Sequence, residues 1–200
     1  MKSIKITVVT LLILVLLNDI YVAYASDDAI LRNRIFKIDN FKSEFNQFIN
    51  KNNNDINIGS GYLYIKRPNM FKFHVIRPIE SIVVTDGVEI LFYNPSMNIA
   101  IKRELFDINN VILEILLNSS SNFWKNFRIF RDKDTFFIFP KNKIKYNNFI
   151  INIDKEGVIN EFKIFLSKKK YINFVLKNHD YDELSDKLFD LSLPENVIID

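Results

Sequence analysis

The sequence predicts a mostly β, antiparallel domain with two or three helices, and three observations carry that reading. Asp86-Gly87, the strongest short hairpin signal, stands between two apolar runs at 81–85 and 88–93. From Trp124 onward short apolar runs recur, separated by polar turns such as Arg131-Asp132-Lys133-Asp134 and Asp154-Lys155-Glu156-Gly157. At Arg67-Pro68 and Arg77-Pro78 strands must end or bulge, because proline has no N–H donor and forces the preceding residue into extended geometry. The 200 residues suffice for one domain with a sizeable core, and no repeat or low-complexity linker marks a second.

At the N-terminus Lys2 and Lys5 precede an apolar run at 6–17, and Ala23-Tyr24-Ala25 fits a small-residue cleavage site. This predicts a secretory signal peptide over 1–25 and a single domain over 26–200. The alternative, an uncleaved anchor, has a run that is short for a membrane span and is followed by Asn18-Asp19. Cysteine is absent, which excludes a disulfide framework, a thiolate metal site, a thiol nucleophile and a lipid-modified N-terminal cysteine. The 27 basic and 24 acidic side chains give +3; the first 25 residues hold Lys2, Lys5 and Asp19, so the rest carries +2. That field is too weak to argue nucleic-acid binding.

Ser26-Asp27-Asp28 supplies a helix N-cap with negative charge in the first turn. Ala29, Ile30, Ile35 and Ile38 then line one face, with Arg32, Arg34 and Lys37 toward water. Phe41, Phe45 and Ile49 lie four apart, which suits a helix; Phe41, Ser43, Phe45, Gln47 and Ile49 also alternate, which suits a strand. Tyr62, Leu63, Tyr64 and Ile65 form a strand apolar on both faces. The next strand has Phe71, Phe73 and Val75 on one face and Lys72, His74 and Ile76 on the other. Residues 96–103 are strand or extended loop. Val111–Leu117 is nearly all apolar between capping residues, which predicts a short helix covered on more than one side. Runs at 127–130, 135–139, 149–153, 158–165 and 171–177 complete a meander, with Lys168-Lys169-Lys170 as a solvated turn that also blunts a sheet edge.

Catalytic patterns are absent. Neither His74 nor His179 belongs to a spaced ligand set, there is no GxSxG elbow, and four scattered glycines make no phosphate-cradling loop. No enzyme, cofactor or metal is expected. The surplus of Phe, Ile, Leu and Tyr fits either a concave sheet lining a cavity or an ordinary packed core.

The run YIKRPNMFKFHV followed by ESIVVTDGVEILFYNP resembles the matching stretch of the LolA family of periplasmic outer-membrane lipoprotein carriers. Its KRPN-x-F-x-[WF] and TDG…FYNP pieces are specific in combination, and Phe189 to Val197 resembles the family's closing tail. The resemblance implies a curved antiparallel sheet forming an incomplete β-barrel, covered by a lid of a few helices around a hydrophobic cavity. It favours a helix to about Phe36 and a strand after it, and makes Val111–Leu117 part of the lid.

It also implies a function: a monomeric periplasmic chaperone accepts lipoproteins from the inner-membrane ABC transporter LolCDE, shields their acyl chains and delivers them to the outer-membrane receptor LolB. Arg67 matches an arginine that bonds lid-helix backbone and holds the empty form closed; a guanidinium has five donors for exposed helix-end carbonyls. Phe71 matches an aromatic at the cavity mouth, Tyr64 and Phe73 stand at bulky aromatic positions, and Leu113 and Leu116 lie in the lid segment. Glu114 departs from that segment's apolar pattern. The receptor of the same fold needs an anchoring cysteine, which this chain lacks. The alternative is a secreted, lipocalin-like binding protein for another apolar ligand.

Overall fold

A computed structural model describes residues 25–51, 54–105, 111–117, 120–142 and 147–199. The expected signal peptide, apart from Ala25, lies outside the described residues, as do 107–110 and 118–119 on either side of the apolar helix. Helix α1 (Asp27–Ile35) leads into six strands: β1 (Asn40–Lys51), β2 (Asn54–Lys66), β3 (Met70–Arg77), β4 (Ser81–Thr85), β5 (Glu89–Asn94) and β6 (Ile99–Glu104). Two short helices follow, α2 (Val111–Leu117) and α3 (Ser121–Trp124). The chain then returns to strands with β7 (Phe127–Asp132), β8 (Thr135–Pro140), β9 (Phe149–Ile153), β10 (Ile159–Ser167) and β11 (Lys170–Asp180). A 3₁₀ turn at Asp186–Phe189 and the short β12 (Ile198–Ile199) close it.

All twelve strands form one sheet in the order β12-β6-β5-β4-β3-β2-β1-β11-β10-β9-β8-β7. Neighbours are antiparallel except β12 on β6. The two halves of the chain meet at β1 and β11, where Phe45 faces Leu176 and Lys51 faces Lys170. The end strands β12 and β7 are not neighbours, so the sheet is curved and open rather than closed into a barrel. Its concave face, with α1, α2 and α3 against it, holds the main core, including Phe45, Ile65, Phe136, Ile138 and Trp124. A smaller cluster on the convex face buries Val84, Leu91 and Ala100 beneath Leu184 and Phe189 of the C-terminal segment.

The period conflict over 41–49 is resolved as a strand. Phe41, Ser43 and Phe45 are buried in alternation, and β1 lies between β2 and β11, where both its edges are hydrogen-bonded. The helix before it ends at Ile35. Two expectations are corrected. Arg34 does not point to water: it is buried, on the same face as Leu31 three positions before it, and its guanidinium donates to Asp134 and to the Ile153 carbonyl. Lys168-Lys169-Lys170 blunts no edge, because its turn joins β10 to β11, both inner strands.

Candidate functional site: an apolar void roofed by a helix

Alternation along the strands determines which side chains reach the concave face. Leu63 and Ile65 of β2 stand opposite Phe73 and Phe71 of β3, and Phe73 stands opposite Val83 of β4. From the other half of the sheet, Phe162 of β10 faces Phe174 of β11. These rows meet as a cluster of rings. Phe45 stacks on Phe73 at 4.3 Å between centroids, Phe162 stacks on Phe174 at 4.5 Å, and Phe73 meets Phe174 edge-on at 5.7 Å.

The contact between Phe45 and Phe73 spans β2 beside Gly61, where the β3 backbone comes close. Gly61 pairs with Phe45 on one side and with Val75 on the other. A Cβ there would lie 1.9 Å from the His74 carbonyl oxygen, so no other residue fits without moving β3.

Beneath α2 this surface leaves a void of about 240 Å³. Its walls are Leu63, Phe71, Phe73 and Val83 on one side and Phe162 and Phe174 on the other; Leu113 and Leu116 of α2 form the roof. Ile115 and Leu116 also border a second void of about 20 Å³ over Ile138 and Ile151. Every lining side chain is hydrocarbon, so the site can exclude water and accept apolar chains but offers no side-chain donor, acceptor or titrating group. Among the described residues no cluster of His, Asp and Glu is arranged to hold a metal, and no helix is long and apolar enough to cross a membrane.

At the edge of this roof stands Arg67, the first residue after β2. Its backbone N–H donates to Asp39 O at 2.7 Å. Its Nη1 donates to the carbonyl of Leu116 in the last turn of α2, and its Nη2 to the carbonyl of Ile35, the last residue of α1, at 2.6 Å. Carbonyls in a last turn lack intrahelical partners and sit at the negative end of the helix dipole, so a cation suits both. The guanidinium also lies over the Phe36 ring at 4.4 Å. Its Nε is buried with no partner among the described residues.

Burial pushes the Arg67 pKa down to about 10, with the Asp39 charge opposing part of that shift. The side chain is therefore still a cation at neutral pH, held in a place that disfavours the charge. For a base whose pKa falls on burial, the buried arrangement gains stability only as pH rises through about 10; at neutral pH the desolvation cost is present in full.

The structure brings Phe71, Phe73, Leu113 and Leu116 to the void and Arg67 to its roof. It does not bring Tyr64 there. Tyr64 stands opposite Lys72 on the convex face and packs with the cluster around Phe189, and burial raises its phenol pKa, with Tyr62 adding to the shift. Sequence reasoning passed over Leu63, Val83, Phe162 and Phe174. Strand alternation marks the first two, since they share a face with Phe73. Nothing local marks the last two, which reach the site only through the pairing of β1 with β11.

The family model described as "Outer membrane lipoprotein carrier protein LolA" matches residues 37–192. Outer-membrane lipoprotein carrier proteins of Klebsiella pneumoniae strain 342 and of Klebsiella pneumoniae subsp. pneumoniae are each 29% identical to this chain over 203 aligned positions. Those alignments cover 100% of this chain and 98% of each relative. A solved structure of an uncharacterized conserved protein from Thermus thermophilus superposes with a TM-score of 0.52 at 9% identity. It covers 84% of this chain and 93% of that one, and is a likeness of fold alone.

Proposed function

Because the chain belongs to the outer membrane lipoprotein carrier protein (LolA) family, we propose that it is a periplasmic carrier of lipoproteins. It takes them as the ABC transporter LolCDE releases them from the inner membrane, buries their acyl chains under α2 and hands them to the receptor LolB. The observation that carries this reading is the apolar void whose roof, α2, is tied by Arg67 to a second helix.

Each methylene taken from lipid into water costs ~0.8 kcal/mol, so a long acyl chain faces a barrier on the order of 10 kcal/mol. Hydrocarbon walls remove that barrier without asking for a matched hydrogen-bond pattern, which suits cargo proteins that share only their lipid. The void of about 240 Å³ is below the roughly 300–1,000 Å³ typical of small-ligand pockets. Acyl chains therefore enter only as α2 lifts and Leu113 and Leu116 vacate the trough. One apolar filling then replaces another, and loaded and empty states stay close in free energy. Arg67 biases the balance toward closure, moderated by the hydration its buried charge regains on opening.

The test is lipoprotein transfer from loaded wild-type and Arg67→Leu carrier to the receptor. Charged hydrogen bonds contribute roughly 1.5–3 kcal/mol each, so the variant retains cargo about ten to a hundred times more strongly and delivers correspondingly less. Equal transfer from both proteins overturns the latch.

A further inference from the structure

Antiparallel strands give the sheet two rims, and the two differ in chemistry. The β2–β3, β4–β5, β7–β8 and β9–β10 turns share the rim that carries Arg67 and α1. The β3–β4, β5–β6 and β10–β11 turns share the opposite rim with the end of β1 and the start of β2, since Lys51 pairs with Lys170 across the central junction. The Arg67 rim is rich in acids: Asp86, Asp134, Asp154 and Glu156 lie in its turns, Asp132 ends β7, and Asp180, Asp182 and Glu183 follow at the end of β11.

The opposite rim is basic and greasy. Arg77 ends β3, Lys168, Lys169 and Lys170 form the β10–β11 turn, and Lys141 follows β8. No carboxylate among the described residues pairs with any of these five; the same rim also carries Asp55, which accepts from Asn50 at 2.8 Å, Glu80, which lies 2.7 Å from His74 Nε2, and the exposed Glu195, so bases outnumber acids there without being alone. Of the eleven large hydrophobic side chains exposed among the described residues, all but Val88, Phe130 and Tyr181 lie at this rim. They include Ile56, Ile76, Ile79 and Met97, with Ile79 60% exposed. Between Phe139, Phe165 and Leu166 a surface groove of about 500 Å³ opens beside Lys168.

We propose that this rim docks on the surface of an anionic phospholipid bilayer. The aliphatic tips enter the headgroup region while Arg77, Lys168, Lys169 and Lys170 meet lipid phosphates, and the acidic rim is turned away. The spacing favours lipid over an acidic protein face. The tips sit on several separate turns and strand ends around a rim, where a fluid surface accommodates each one; a protein partner needs a contiguous, shape-matched patch. Docking goes beyond the carrier reading, which requires only that acyl chains fit under α2.

Flotation of the purified protein with phosphatidylcholine vesicles, with and without phosphatidylglycerol, tests it. Binding is expected to the anionic vesicles and to weaken with salt. Replacing Lys168, Lys169 and Lys170 by Gln lowers the affinity about a hundredfold, at roughly fivefold per lysine. Ile79→Ser lowers it less, and Asp154→Asn with Glu156→Gln on the acidic rim does not lower it. Equal binding to neutral and anionic vesicles, wild-type binding by the triple variant, or no binding to either vesicle overturns docking; in the last case an acidic protein surface becomes the occupant to test. Uptake of an apolar dye, measured on the same samples, keeps the two readings apart. Dye uptake without vesicle binding contradicts only docking, and vesicle binding without dye uptake contradicts only the carrier.

Discussion

Helices α1 and α2 both press leucines into the concave face, and both bury them almost fully: Leu31 is 0% exposed and Leu116 is 2% exposed. What differs is how each helix is tied to the sheet. Arg34 of α1 donates to Asp134 Oδ1 and to Ile153 O, each at 2.7 Å, and lies over Phe136. Asp27 accepts from the Arg131 N–H at 3.1 Å, Lys37 donates to Lys155 O at 2.9 Å, and the turn at Gly157 comes so close that a Cβ there would lie 2.7 Å from Arg34 O. Helix α2 meets the trough through Leu113, Ile115 and Leu116 and accepts the Arg67 bond at its C-terminal end. Directional bonds to named atoms cannot be supplied by a lipid tail; hydrocarbon contacts can. On the proposed function, α1 stays with the sheet and α2 is the filling that cargo replaces. Arg67 links the two, and its bond to Ile35 O and its contact with Phe36 do not involve α2.

The largest expected effect comes from breaking the fixed helix. Arg34→Ala removes two charge-assisted bonds and leaves Ile153 O without that donor, a loss of about 3 kcal/mol. At ~2–4 °C per kcal/mol for a domain of this size, the melting temperature followed by circular dichroism falls on the order of 10 °C. Dye uptake by the folded fraction is unchanged, because nothing lining the void is altered. A loss of uptake at full stability would erase the distinction between the helices.

A finer comparison sets Leu31→Ala beside Leu113→Ala. Truncating a leucine inside a closed core costs about 2–5 kcal/mol, and the cost depends on the cavity left behind. Leu31 leaves a new cavity, whereas Leu113 borders a void that already exists. Leu31→Ala is therefore expected to cost about 3–4 kcal/mol and Leu113→Ala about 2 kcal/mol, with only the second raising the affinity for an apolar dye. Equal destabilisation, with no change in dye affinity, would place both leucines in one rigid core.

Much of this was written locally in the chain. Asp86-Gly87 gives the turn from β4 to β5, with Gly87 at φ +100°, and the apolar run Val111–Leu117 coincides with α2. Alternation could have placed Tyr64 correctly, because residues 63 and 65 take the face of Phe71 and Phe73, and 64 must then face the other way. Arg34 misled because a charged residue near a helix end reads as solvated unless its distant partner, Asp134, is known. Phe162 and Phe174 were out of reach for a similar reason. Their place at the void depends on a junction between β1 and β11 more than 100 residues apart, and no local period encodes which strands meet.

Because the chain has no cysteine, labels can be placed without background. A spin-label pair at Asp28→Cys and Glu114→Cys reads the distance from α1 to α2, and a pair at Asp28→Cys and Lys133→Cys reads α1 against the β7–β8 turn. On loading with lipoprotein the first distance is expected to change by roughly 10 Å, about one helix diameter, while the second stays fixed. Cargo bound with the first distance unchanged would contradict the exchange of α2 for acyl chains.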